Sequence, residues 1–99
     1  MELKIETEGT ELTVFLSGEL NTLTAPQLSE AIDSNIPGMQ TLILDFTDCD
    51  YVSSAGIRVL LACLKQMKKQ KGSMWLKNVG ENFSEVLENT GLDAVFDVR

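Results

Sequence analysis

The sequence predicts an α/β fold: a mixed β-sheet of four to five strands with helices packed on it, in the order ββαβαβα, closed by a further β if the C-terminal segment pairs. Three observations carry this expectation. The chain opens with two runs of alternating polar and apolar residues, the pattern of strands with one wet face. Later segments switch to the 3.6-residue apolar period of helices. A hairpin followed by alternating strands and helices closes most simply into a mixed sheet that carries its helices. Ninety-nine residues, 43% of them hydrophobic, suit one domain spanning 1–99 and are too apolar for disorder.

Residues 2–8 alternate Glu-Leu-Lys-Ile-Glu-Thr-Glu and read as the first strand. Gly9-Thr10 marks a turn, and Glu11 to Ser17 is the second strand, with Leu12, Val14 and Leu16 on one face and Gly18 as its end. Thr24-Ala-Pro-Gln27 has the form of a capping box, and Leu23 with Leu28 fits a hydrophobic staple. The helix behind it runs to about Asn35, burying Leu28, Ala31 and Ile32, until Pro37-Gly38 stops it. Thr41 to Phe46 is a near-continuous apolar run, which suits a central strand covered on both faces. The second helix spans roughly Ser54 to Gln70, with Ile57, Leu60, Leu61, Leu64 and Met67 as its apolar stripe and Gly72 as its stop. Ser73 to Lys77 is a fourth strand, with Met74 and Trp75 assigned to the core. Glu81 to Thr90 is a third helix closed at Gly91, and Ala94 to Val98 is a short edge strand or a docked tail.

Composition removes several function classes. No apolar run approaches the roughly 18 residues needed to span a membrane, and Met-Glu-Leu-Lys-Ile-Glu at the start is no signal peptide. Cys49 and Cys63 lack both metal-ligand spacing and the density of a secreted disulfide scaffold, so a cytoplasmic location with reduced thiols is expected. The net charge of −7 makes nucleic acid an unsuitable partner. The charge is uneven: residues 58–80 hold six bases and no acid. Lys65, Lys68, Lys69 and Lys71 crowd the end of the second helix, where cations suit the dipole; an acidic partner is the other use for them.

Much common chemistry is missing. There is no histidine, hence neither the usual general base nor the usual metal ligand. No glycine-rich phosphate cradle of either standard form occurs. Asp45, Asp48 and Asp50 cluster, but without the glycine and distal glutamate of a calcium loop they read as an acidic solvated loop. Ser53 and Ser54 have no base in reach and no nucleophile elbow around them. The expectation is a non-enzyme with no catalytic residue, cofactor or metal.

What remains is the junction between the third strand and the second helix. The hydroxyl of Ser54 falls at a helix N-terminus, beside free N–H groups and the positive end of the dipole. Such a position accepts a phosphate without damage to the fold; a plain N-cap serine is the ordinary alternative. On the helix, Ile57, Leu60, Leu64 and Met67 face inward. Ala55, Val59, Ala62 and Gln66 turn to another side, flanked by Arg58, as a small apolar surface suited to docking.

Leu44-Asp45-Phe46, the acidic loop, and Tyr51-Val-Ser-Ser-Ala-Gly-Ile-Arg-Val-Leu60 resemble the signature of STAS domains, and especially of stand-alone bacterial anti-sigma factor antagonists. Leu16-Ser-Gly-Glu-Leu20 and Asn89-Thr-Gly-Leu92 resemble the family's flanks, so the likeness covers nearly the whole chain. It implies the STAS fold and a partner, a serine protein kinase that acts as an anti-sigma factor. That kinase phosphorylates the antagonist on a loop serine (occasionally a threonine) and so releases it; a serine phosphatase restores binding. The frequent family pattern is Asp-Ser-[Ser/Thr]-Gly-[Leu/Ile]. Alignment on Gly56 makes Ser54 the acceptor, puts Ser53 where many members have Asp and Ala55 where they have Ser or Thr, and leaves Ser53 as second candidate. Ser53, Ala55, Gly56, Arg58, Val59 and Ala62 become the implied partner-binding residues. The alternative within the family is a non-switching STAS subunit of a membrane transport complex, such as a lipid-trafficking ATPase. Nucleotide binding is a third reading, for which the chain offers no phosphate loop.

Overall fold

A computed structural model describes residues 1–99. β1 (Glu2–Glu8) and β2 (Glu11–Leu20) form the hairpin, with Ile5 opposite Val14 and Glu8 opposite Glu11. α1 (Ala25–Asn35), β3 (Thr41–Val52), α2 (Ser54–Lys69), β4 (Ser73–Lys77) and α3 (Glu81–Thr90) follow, then a 3₁₀ turn at Leu92–Ala94 and β5 (Asp97–Val98). The C-terminal segment is therefore an edge strand, although only two residues long. The five strands lie in chain order; β1 is antiparallel to β2, and every later neighbour is parallel. Parallel neighbours require a crossover, and each of the three helices supplies one.

The helices share one face of the sheet. Leu12, Val14 and Leu16 of β2, Leu42, Leu44 and Phe46 of β3, and Met74 and Leu76 of β4 pack with Leu28 and Ile32 of α1, Leu60 and Met67 of α2, and Phe83 and Leu87 of α3 in one cluster of 21 buried residues. Each fully buried Leu, Phe or Met contributes about 1.5–3 kcal/mol. The apolar run of β3 is buried on both faces, as expected, since Leu42 to Phe46 are all buried, but helices cover only one of them. Side chains alternate between the faces, and Ile43 lies on the face without helices, outside the main cluster and opposite Trp75 in the ladder. Trp75 is likewise half-buried there rather than in the main core, with the Arg99 guanidinium 3.9 Å from its ring centre.

Two strands outrun their predicted ends. β2 continues past Gly18 to Leu20, and β3 continues through the acidic residues to Val52. The extension is a paired ladder, Ser17 with Asp48, Glu19 with Tyr51 and Leu20 with Val52, broken by register shifts. The acidic loop is therefore strand. Three local expectations also change. Leu23 does not staple α1: it is 86% exposed. Thr24 forms no capping box, since Asn21 Oδ1 accepts the N–H groups of Leu23 and Thr24 while the Thr24 hydroxyl donates to the Glu19 carbonyl at 2.7 Å. The buried line of α2 is Gly56, Leu60, Cys63 and Met67; Ile57 and Leu64 are half-buried beside it, and Leu61 is exposed. At the end of α2 the left-handed position belongs to Lys71 (φ +59), and the N–H groups of Lys71 and Gly72 donate to Lys68 and Met67 in a Schellman turn.

Candidate functional site

The site forms where β2 and β3 end together. Leu20 pairs with Val52 and both side chains are buried. The next backbone N–H, of Ser53, donates to the Leu20 carbonyl at 2.8 Å, so the chain leaves the sheet at a set angle. Ser53 is extended (φ −82, ψ 173) and its carbonyl accepts the N–H of Ile57 at 3.0 Å. Ser53, not Ser54, is therefore the N-cap, and Ser54 is the first helical residue.

The two hydroxyls differ. Ser53 Oγ is buried with no hydrogen-bond partner, which makes it a cap in position but not in bonding. Ser54 is exposed, beside first-turn N–H groups that have no partner within the helix. Gly56 explains how the turn sits so close to the sheet. A Cβ there would lie 2.6 Å from Leu20 Cγ, 2.9 Å from its Cδ2 and 3.0 Å from Val52 Cγ1. Only hydrogen fits, so the first turn of α2 presses onto Leu20 and Val52 and fixes where Ser54 stands.

A shallow groove of about 370 Å³ runs between the starts of α1 and α2. Ala25 and Pro26 line one wall, Ala55, Val59 and Ala62 the other, with Arg58 beside them. Ala55 and Val59 are half-buried, Ala62 and Arg58 exposed. Four of the sequence-predicted docking residues thus meet in one concavity; Gly56 is buried beneath it and Ser53 is tucked behind. Sequence reasoning missed the α1 wall, Ala25 and Pro26, because it lies thirty positions before Ala55 in the chain.

The three aspartates before the site separate. Asp45 is buried, and its Oδ1 accepts the Thr47 N–H at 2.9 Å and the Thr47 hydroxyl at 2.6 Å, while Oδ2 accepts from Asn78 Nδ2 at 3.2 Å. Burial pushes its carboxyl up, but the Thr47 and Asn78 hydrogen bonds and the nearby Lys77 charge together outweigh burial and hold it below the ordinary value. Asp48 is exposed. Asp50 caps α3: Oδ1 accepts the Phe83 N–H at 3.3 Å and Oδ2 accepts from Asn82 Nδ2 at 2.9 Å. Gly80 leaves room for that carboxylate, because a Cβ there would collide with it. The acidic stretch is thus strand rather than loop, and Asp50 ties the junction before α2 to α3. No three side chains of His, Cys, Asp or Glu come together as metal ligands. Burial pushes the Cys63 thiol up to about 12 and raises Cys49 as well, so neither thiol is primed as a nucleophile.

An exposed hydroxyl at a helix start, held on a one-sided five-stranded sheet beside a small apolar groove, defines a binding module of the STAS type. The STAS domain family model matches residues 2–99, and the chain belongs to that family. A provisionally named anti-sigma factor antagonist of Bordetella bronchiseptica, BtrV, is 31% identical over 99 residues, covering 99% of this chain and 85% of that protein. The anti-sigma-B factor antagonist of Bacillus subtilis is 30% identical over 88 residues, covering 89% of this chain and 81% of the relative. Among solved structures, the anti-sigma factor antagonist SpoIIAA shares the fold at 20% identity. Its unphosphorylated form has a TM-score of 0.85 over 99% of this chain and 88% of that one. Its phosphorylated form, from Bacillus, has a TM-score of 0.78 over 99% of this chain and 91% of that one. No helix here is long and apolar enough to cross a membrane.

Proposed function

We propose that this chain is an anti-sigma factor antagonist, built as one STAS domain over residues 1–99. In this reading it is a cytoplasmic binding protein, not an enzyme, and it needs no cofactor, nucleic acid or membrane. Its partner is a serine-kinase anti-sigma factor, which docks over Ser54 and the groove of Ala55, Val59 and Ala62, with Arg58 at the margin. The kinase transfers the γ-phosphoryl group of ATP to Ser54 Oγ; the hydroxyl proton leaves with the kinase base and ADP is the product. A serine phosphatase reverses the modification by hydrolysis.

The observation that carries the reading is the contrast between the two serines. Ser54 offers an exposed oxygen beside the groove, whereas Ser53 Oγ is closed off from solvent. The names of two similar relatives, and the solution of a fold neighbour in a phosphorylated form, support the same mechanism. The energetics suit a release switch. A phosphate adds about −1.5 to −2 charge at pH 7. On the first residue of α2 the dipole favours it by about 0.3–1 kcal/mol, so the domain stays folded. Inside an apposed surface, like-charge and desolvation penalties reach several kcal/mol, and about 2.7 kcal/mol is a 100-fold loss of affinity.

The test incubates the wild-type, Ser54→Ala and Ser53→Ala chains with the kinase anti-sigma factor of the same organism and ATP. One phosphate is expected on wild type and on Ser53→Ala, and none on Ser54→Ala. Phosphate that persists on Ser54→Ala overturns the acceptor. A wild-type chain that recovers transporter subunits and no kinase overturns the function.

A further inference from the structure

We propose that the exposed ridge of α2, which runs on from the Ser54 groove, is the docking line for a carboxylate-bearing surface of the partner protein. This rests on the functional reading above and names the chemistry of the partner at that same site. α2 carries Arg58, Lys65, Lys68 and Lys69 and no acid. At 100° per residue, Ser54, Arg58, Lys65 and Lys69 fall within an arc of about 60°, on the side opposite the buried line of Gly56, Leu60, Cys63 and Met67. All four ridge residues are exposed. The switch serine therefore heads a basic ridge, with Lys65 about 16 Å and Lys69 about 22 Å along the helix from it.

None of these cations is ion-paired within the chain. The ion pairs are Lys4 with Glu6 and Arg99 with Asp97, both away from α2. The helix dipole accounts for Lys68 and Lys69 in the last turn. It does not account for Arg58 or Lys65, because the effect falls off within one turn of the end. On a chain of net charge −7 the ridge is an island of opposite sign, and an acidic partner surface has this one helix on which to settle. A second copy of the chain is disfavoured as occupant by that same net charge.

The ridge also gives release a physical cause. A phosphate on Ser54 places about −1.5 to −2 charge at its head and offsets about half to two-thirds of the summed charge of Arg58, Lys65 and Lys69. Arg58 lies at i+4 from Ser54, within reach of the new phosphate. The partner's carboxylates thus meet a dianion and lose their nearest cation in one step.

The test titrates the purified kinase anti-sigma factor of the same organism with four unphosphorylated chains: wild type, Lys65→Glu/Lys69→Glu, Lys65→Gln/Lys69→Gln, and Glu85→Gln/Glu88→Gln on α3 as control. Binding is measured at low and at physiological salt. The reversal pair is expected to weaken binding about tenfold or more, and the glutamine pair about threefold, with both losses shrinking as salt rises. The control is expected to bind as wild type. A glutamine pair and a folded reversal pair that both bind within twofold of wild type overturn the ridge, and so does tighter binding by the reversal pair. If the reversal pair does not fold, the glutamine pair decides alone. A wild-type chain that binds no kinase anti-sigma factor overturns the functional reading together with the ridge, whereas wild-type binding with indifferent variants overturns the ridge only.

Discussion

Gly56→Ala adds a single carbon at the tightest point of the site. The new Cβ would lie 2.6 Å from Leu20 Cγ and 3.0 Å from Val52 Cγ1, and Leu20 has no exposed surface into which it can swing. Two effects oppose each other. Alanine is worth about 0.5–1 kcal/mol more than glycine inside a helix. An extra carbon forced into a packed core costs about 1–3 kcal/mol. The contact is with the branch point of a buried leucine, not with a free chain end, so overpacking wins and a net loss of about 1–2 kcal/mol is expected. In urea this appears as a lower midpoint with an unchanged slope. In a thermal melt each kcal/mol moves the midpoint of a domain this size by about 4–8 °C. Leu20→Ala removes the colliding atoms, so Gly56→Ala should cost less in that background, with a coupling of at least about 0.5 kcal/mol. A Gly56→Ala chain as stable as wild type would refute the claim that close approach of α2 to Leu20 positions Ser54.

Further predictions concern the rest of the fold. Lys71 holds a left-handed conformation that glycine enters freely, so Lys71→Gly should stabilise by about 0.5–1 kcal/mol, read as a raised urea midpoint. Asp45 has a lowered folded pKa, so its contribution is present above the ordinary value of 3.8 and is lost as pH falls through the lower folded value. Unfolding titrations from pH 7 down to pH 2 should therefore show a shallower acid loss for Asp45→Asn than for wild type; identical slopes would contradict the Thr47 and Asn78 assignment. Cys49 and Cys63 are buried with raised pKa values, so a thiol reagent at pH 8 should find no fast-reacting group in the native protein and both groups after denaturation.

Where local pattern decides structure, the chain was legible. The ends of β1, β4 and α3 fall where alternation, periodicity and flanking glycines put them. The seven residues from Ser53 to Val59 that mark the site are contiguous, so their proximity needed no tertiary information. The errors lie where a residue's fate depends on a distant neighbour. Asp48 and Asp50 look like loop on their own, yet Ser17 and Glu19 draw that segment into the ladder and Asn82 and Phe83 give Asp50 its partners. Leu23 looks like a staple until the Asn21 side chain bends the turn outward.

The sequence by itself determined the order of elements, the α/β class and the segment that carries the candidate site, because spacing along one chain sets which residues share a helix line or a strand face. Only the tertiary structure decided which hydroxyl meets solvent and that Ser53 rather than Ser54 caps α2. Tertiary packing also decided that all three helices cover one face and that α1 supplies the second wall of the groove. These depend on which segment packs beside which. The absence of a side chain at Gly56 matters only because Leu20, thirty-six positions earlier, occupies that space.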